Sequence, residues 1–150
     1  MGCVQKYQSE PFLAYGTTAT LAMGQALQKQ SSNQQYAIFT DAYCNNSEHY
    51  GLAANLTYFA FTDKQEVVHL QPDTELFVVG RAAKHHNGEA RECTNVSRFI
   101  AEQGKAYLVE QHLYWPQCSM KIIDLATQAE VGQPQKVTDK CRKKNLTPLF

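Results

Sequence analysis

Cysteine is the residue type with the clearest chemical meaning in this 150-residue chain, which contains five of them. Four lie far apart in the body of the sequence, at Cys44, Cys93, Cys118 and Cys141. None forms the C-x-x-C spacing of a zinc or redox site. Widely spaced cysteines in a short chain are typical of disulfides made in an oxidising compartment, whereas four buried free thiols would suit the cytosol. We expect two disulfides and, among the three possible pairings, favour Cys93 with Cys118 and Cys44 with Cys141.

Cys3 stands apart from the other four cysteines and predicts a site of lipid attachment. The sequence Met1-Gly2-Cys3 resembles the start of a myristoylated cytosolic protein, but Lys6 occupies the position at which that motif has Ser or Thr. Alternatively, Met1 and Gly2 precede a mature chain whose signal peptide has been removed, and Cys3 is its acylated first residue. A secreted protein with an ordinary free cysteine is the third interpretation. We favour the lipoprotein, for which Val4 after the cysteine suits the outer membrane.

His85 and His86 are the most plausible metal ligands in the sequence. Adjacent residues of an extended strand point to opposite faces, so both could bind one ion only in a bent loop. A loop is predicted here, because Lys84, Asn87 and Gly88 surround the pair. No His, Cys or carboxylate stands nearby at a recurrent metal spacing. A solvated loop tip is the simpler interpretation, and we expect no metal or other cofactor.

No motif of a nucleophilic or phosphate-binding enzyme occurs in the sequence. It lacks G-x-S-x-G and a glycine-rich phosphate loop. Ser119 has no identifiable base, and a cysteine hydrolase that pairs Cys118 or Cys93 with His112 is a minor alternative. The remaining acids are expected at strand ends, where they stop strands or cap turns: Asp41, Asp73, Glu75 and Asp124. We therefore expect that the protein is not an enzyme.

Charge is balanced overall and concentrated at the C-terminus. Lys plus Arg equals Asp plus Glu at 14 each, so no global field favours nucleic acid. Five basic residues nevertheless lie between Lys136 and Lys144. Such a cluster could bind anionic lipid or peptidoglycan at about 1 kcal/mol per charge, or it could be only a solvated tail.

Alternation of apolar and polar residues at period two dominates the chain and predicts strands. The predicted strands are 18–23, 36–40, 56–62, 66–70, 76–81, 106–115 and 119–125, the last two forming a hairpin across Pro116. Residues 17–30 and 95–103 could instead contain helical turns. We expect an all-β fold, a β-sandwich of about seven antiparallel strands of the Ig-like or transthyretin-like kind. Residues 16–141 would form this domain, between a tether over 1–15 and a basic tail over 142–150.

The layout of these elements resembles that of several small Gram-negative lipoproteins whose activities are not known. The shared features are an early strand at Thr20-Leu21, Asp41-Ala42-Tyr43-Cys44, the stretch 70–76, Cys93, the stretch 99–107, Cys118, Ile123-Asp124 and Cys141. This resemblance implies a periplasmic β-sandwich and brings no activity with it. Within the stretch 99–107, Gly104 is expected to turn the chain while Phe99 and Tyr107 pack on neighbouring strands.

Together these features predict a non-catalytic periplasmic lipoprotein, anchored to the outer membrane, that binds an envelope protein or cell-wall material and no nucleic acid. One alternative is a secreted inhibitor or immunity protein, which would use a protruding loop over 81–92 against a cell-wall or toxin enzyme. Another is a metal protein or enzyme that uses His85 and His86. Four N-x-S/T sequons, at Asn45, Asn55, Asn95 and Asn145, keep a eukaryotic secreted protein as a further possibility.

Overall fold

The computed structural model describes residues 6–13, 19–23, 33–45, 49–56, 66–86, 88–114 and 117–143. These residues form nine strands and two short helices. The strands are β1 (Ala19–Met23), β2 (Asn33–Phe39), β3 (Gly51–Leu56), β4 (Glu66–Leu70), β5 (Glu75–His86), β6 (Glu89–Ile100), β7 (Ala106–Tyr114), β8 (Gln117–Asp124) and β9 (Gln133–Gln135). The helices are α1 (Glu10–Leu13) and α2 (Asp139–Lys143).

The strands form two sheets that pack on each other as a β-sandwich. One sheet has the order β4-β1-β7-β8, and the other has the order β3-β2-β5-β6-β9. The predicted all-β sandwich is confirmed, with nine strands in the described residues rather than about seven. The strands that the sequence did not predict are most of β3, most of β6 and β9. β9 has three residues and is too short to show an alternating pattern.

One pairing departs from the predicted antiparallel arrangement. β1 runs parallel to β7, with Leu21 opposite Tyr107, and antiparallel to β4 on its other side. Parallel neighbours need a long crossover connection, and here much of the second sheet lies between β1 and β7 in the chain. Alternation shows which residues are buried but not in which direction a neighbouring strand runs, so the sequence could not reveal this pairing.

Most of the remaining predictions for secondary structure agree with the strands. The prediction of 66–70 coincides with β4, and 76–81 is the beginning of a longer β5. Of the ambiguous stretch 95–103, residues up to Ile100 are strand. The predicted strand 56–62 lies outside the described residues after its first position.

The main core lies between the two sheets and is closely packed. Leu21 of β1 and Leu76 of β5 are fully buried there. Gly80 lets the sheets approach closely, because a Cβ at this position would lie 2.5 Å from Met120 Sδ and 2.9 Å from Gln111 Cδ. Any larger residue at position 80 must therefore displace side chains of the opposite sheet.

A second apolar cluster covers the outer face of the five-stranded sheet. This outer cluster consists of buried Ala37, Phe39, Cys44, Phe77, Val79, Val96 and Cys141, with Ala42, Leu52 and Val137 partly buried beside them. Two segments, 41–45 and 136–143, lie over the sheet here, and we call them the cap. A disulfide between Cys44 and Cys141, with Cα atoms 5.2 Å apart, joins the two segments. The basic tail predicted to begin at residue 142 thus overlaps the end of α2.

The second disulfide joins the two sheets to each other. It links Cys93 of β6 with Cys118 of β8, whose Cα atoms are 6.5 Å apart. The side-chain amide of Asn95 lies against it, with Nδ2 3.4 Å from Cys118 Sγ. Both disulfides have the pairing favoured from the sequence.

The N-terminal segment closes one side of the sandwich. The amide of Tyr7 donates to Leu52 O at 2.8 Å on the edge strand β3. Its side chain enters the main core, and its hydroxyl donates to His69 O on the edge strand β4. An edge strand that is paired in this way is protected from unwanted pairing with other chains. Residues 7–9 of the predicted tether over 1–15 thus form hydrogen bonds with the edge strands and with His49.

The protruding loop predicted over 81–92 is not a loop. β5 and β6 pair along nearly all of this stretch. Arg81, only 7% exposed, forms an ion pair with Glu92 and donates to Gln35 Oε1 at 2.9 Å. The acid of this ion pair, Glu92, is nevertheless about half exposed, so the stretch is a paired hairpin with exposed charge rather than a protruding loop.

Candidate functional site

A cleft with a polar and apolar lining lies at one end of the sandwich. It lies where β6 ends, β7 begins and β8 ends, and has a volume of about 370 Å³. Its lining comprises Glu75, Arg98, Phe99, Ile100, Glu102, Lys105, Tyr107, Asp124, Val131 and Gln133. Concave sites of this size that combine apolar walls with a few converging polar groups are typical of ligand-binding sites.

The wall of the cleft is built by the tight connection between β6 and β7. Gly104 has a φ of 80°, a conformation that glycine adopts without strain. The backbone amide of Glu102 donates to Tyr107 Oη at 2.9 Å, and the rings of Phe99 and Tyr107 meet edge to face at 5.4 Å. Gly104 therefore turns the chain as predicted. The two aromatic rings pack between opposite sheets, however, rather than on neighbouring strands of one sheet.

Lys105 lies between two carboxylates. Its Nζ is 2.7 Å from Glu102 Oε2 and 3.2 Å from Asp124 Oδ2. The hydrogen bonds to Glu102 and then Asp124 raise the pKa of Lys105 above its usual value. Lys105 is thus a permanent cation at neutral pH, in a fixed position and with part of its side chain exposed.

Asp124 is almost fully buried at the base of the cleft. Desolvation raises the pKa of its carboxyl, but hydrogen bonds from Lys105 Nζ and from the amides of Ala126 and Thr127 lower it by more, so that the net pKa lies below its usual value. The amide of Ala126 donates to Asp124 Oδ1 at 2.9 Å. Asp124 therefore stays ionised and holds the turn after β8, as expected for an acid at a strand end.

Arg98 is the second cation of the cleft. Its guanidinium lies 3.6 Å from Glu75 Oε2 and donates to Gln133 Oε1 at 2.8 Å. The side chain remains 41% exposed, and Glu75 is exposed to a similar extent. The long ion pair leaves Arg98 donors accessible to a ligand carboxylate, while Glu75 and Glu102 are accessible to a ligand cation.

The buried carboxyl of the cleft has a pKa shifted in the direction opposite to that of a general acid. A glycosidase needs one carboxyl whose pKa is raised so that it can donate a proton, whereas the pKa of Asp124 is lowered. Arg98 and Lys105 remain partly exposed beside the exposed carboxylates of Glu75 and Glu102, so the cleft presents both charges to solvent. The arrangement matches a ligand that itself carries both charges, such as a peptide.

The two cysteines that were considered as the nucleophile of a hydrolase form a disulfide. Cys93 and Cys118 are bonded to each other, so neither offers a thiol to His112. Cys3, the predicted lipidation site, lies outside the described residues.

His85 and His86 lie in the last two positions of β5 rather than in a bent loop. They pair in register with Ala90 and Glu89 of β6. Nothing is described of the two histidine side chains. Among the residues whose side chains are described, no group of three or more His, Cys, Asp or Glu could hold a metal ion.

The structure brings together three polar residues whose proximity the sequence did not show. His112 on β7 pairs in register with Ser119 on β8, and its Nε2 lies 3.4 Å from Glu110 Oε2. The predicted hairpin ends one strand at 115 and begins the next at 119, which gives a register different from the observed pairing of His112 with Ser119. No hydrogen bond joins His112 to Ser119 in the described structure.

Comparison with known proteins finds no relative. No family model, no curated protein and no solved structure matches the chain. Within the described part of the chain, no helix has the length and apolarity to cross a membrane. The function must therefore be inferred from the chain's own residues.

Proposed function

We propose that the protein is a non-catalytic binding module of the Gram-negative cell envelope. It lies in the periplasm and is anchored to the outer membrane through an acylated Cys3. Two disulfides support an oxidising compartment, in which such bonds persist. The ligand is a peptide-like group of an envelope protein or of the cell wall.

The observation that carries this proposal is the charged cleft. Its half-exposed Arg98 and Lys105 are each positioned by carboxylates of the protein, and the buried rings of Phe99 and Tyr107 also line the cleft. Charges held in place beforehand bind a complementary ligand with little loss of side-chain entropy. The inhibitor alternative is less well supported, because its predicted loop is a strand hairpin with internally paired charges.

The test of binding compares two arginines on the same strand. Arg98→Gln removes the accessible charge from the cleft. Arg91→Gln is the matched control, since Arg91 is also on β6, is 37% exposed and lies 3.8 Å from a glutamate. Protein carrying Cys3→Ser would be incubated with purified peptidoglycan and, separately, cross-linked in envelope extracts, followed by mass spectrometry.

We expect one of the two materials to be retained by the parent protein and by Arg91→Gln but lost with Arg98→Gln. Equal retention by both variants would show that the cleft is not the binding site. Mass spectrometry of the native protein tests the anchor separately, since an unmodified Cys3 would rule out the lipoprotein.

A further inference from the structure

The cap carries a concentration of positive charge that the cleft does not use. Residues 136–144 contain five basic residues and one acid, Asp139, which leaves nine basic and 13 acidic residues in the rest of the chain. Lys136 and Lys140 are exposed, and α2 also contains Arg142 and Lys143. The neutral chain is therefore asymmetric in charge along its sequence, and most of its basic stretch 136–144 belongs to the cap, which also contains Asp41.

An exposed aromatic residue lies in the other segment of the cap. Tyr43 is 58% exposed, and its backbone is fixed by a turn in which its amide donates to Asp41 Oδ1 at 2.7 Å. The Cys44–Cys141 disulfide and the contact of Lys140 Nζ with Asn45 Oδ1 at 3.5 Å hold the two segments together. The cap thus presents lysines and a tyrosine from segments about a hundred residues apart in sequence.

The N-terminus of the described structure lies beside the same surface. Lys6, which is exposed, forms a parallel bridge with Leu52 of β3. The side chain of Leu52 packs against the outer cluster beneath the cap. The chain that precedes Lys6 therefore joins the domain on the side where the basic cap lies.

We propose that the cap is a surface that binds anionic phospholipid membranes. Clustered lysines near an anionic bilayer each contribute to binding, and tyrosine favours the membrane interface, where its ring is in the apolar boundary and its hydroxyl in water. A lipid chain alone binds weakly and is commonly combined with a basic patch. An exposed tyrosine beside exposed lysines supplies both of these contributions to binding at an anionic bilayer.

The test uses vesicles and unacylated protein, so that it does not depend on the modification of Cys3. Protein with Cys3→Ser would be sedimented with vesicles of phosphatidylcholine alone or with about one third phosphatidylglycerol. We expect binding only to the anionic vesicles. The double substitution Lys136→Gln with Lys140→Gln should weaken it roughly thirtyfold, at about fivefold per lysine.

Three further variants distinguish a folded surface from a merely basic tail. Lys84→Gln with Lys121→Gln removes the same charge outside the cap and should leave binding unchanged. Tyr43→Ser should weaken binding by an amount that added salt does not abolish, whereas the lysine effect should shrink in salt. Cys44→Ser with Cys141→Ser separates the two segments of the cap and should reduce binding, with folding of the sandwich checked by circular dichroism.

Several results would overturn the proposal. They are equal binding to neutral vesicles, an equal loss with the Lys84 and Lys121 pair, or full binding without the cap disulfide. Loss of peptidoglycan binding, rather than vesicle binding, in the Lys136 and Lys140 variant would assign the cap to the cell wall instead. The proposed ligand cleft is tested by Arg98 alone, so either conclusion can fail while the other stands.

Discussion

The two faces of the five-stranded sheet are both buried, but different structures cover them. The inner face packs against a complete second sheet, with residues such as Leu76 and Val78 fully buried between the layers. The outer face is covered by the cap, two short segments with one five-residue helix. The strands of the opposite sheet are held in place by hydrogen bonds to one another. The cap segments, by contrast, are too short to fold alone. The outer cluster should therefore depend on its disulfide far more than the main core does.

The largest expected effect is the loss of the cap disulfide. In the loop-entropy model, Cys44→Ser with Cys141→Ser should reduce the free energy of unfolding by about 4.7 kcal/mol, because the bond spans a sequence separation of 97. Cys93→Ser with Cys118→Ser, at a separation of 25, should reduce it by about 3.5 kcal/mol. Urea denaturation of both variants measures the two values. A cap variant as stable as the parent protein would show that the cap is held without its bond.

A matched pair of valines tests the difference between the two faces directly. Val78 lies in the main core and Val79 in the outer cluster, and both are almost fully buried. Val78→Ala and Val79→Ala should each lower the free energy of unfolding by about 2 kcal/mol, from two lost methyl groups and the cavity they leave.

The two substitutions should diverge when the cap disulfide is absent. In the variant lacking Cys44 and Cys141, Val79→Ala should lose most of its effect, since the outer cluster is already open, while Val78→Ala keeps its effect. A double-mutant cycle in urea isolates this coupling. Equal coupling of both valines to the disulfide would contradict the distinction between the faces.

The close approach of the sheets gives a smaller effect on the inner face. Gly80→Ala should lower the free energy of unfolding by about 1–2 kcal/mol, because the new Cβ meets the side chains of Met120 and Gln111. Adding Met120→Ala makes room and should recover part of this loss. Thermal melts of the two single variants and the double variant measure these changes in stability. If the double variant loses more stability than the two single variants together, residue 80 does not press on the side chain of Met120.

The sequence predicted the sandwich and its disulfides, but not the surfaces that the fold creates. Alternation can be recognised within a few residues, so the predicted bounds of β4 and of the β7–β8 hairpin agree closely with the observed ones. The number and separation of the cysteines indicate the disulfides in the same direct way. The cap was not predicted, because Phe39 and Phe77 bury on the outer face only when residues near Cys141 cover them. The cleft was missed for the same reason. Lys105 and Asp124 meet at one end of the β7–β8 hairpin, whereas Glu75 pairs with Arg98 in the other sheet. Local alternation does not show that these two pairs line one cleft.

The smallest expected effect concerns the cleft and depends on pH. The pKa of Asp124 is lower in the folded protein than its usual value, so its contribution to stability is present above the unfolded pKa, about 3.9, and is lost as the pH falls through the folded pKa. The pKa of Lys105 is raised, so its contribution is complete below about pH 10.4 and does not change in the acid range. Asp124→Asn should therefore melt below the parent protein at pH 7, and the difference should disappear toward pH 2.

Glu102→Gln is the control, since Glu102 binds the same lysine but is 64% exposed, and exposed ion pairs contribute little. If the melting temperatures of Asp124→Asn and the parent protein stay equally far apart at every pH, the buried carboxylate does not hold this end of the sandwich, and the cleft loses the fixed cation on which peptide recognition rests.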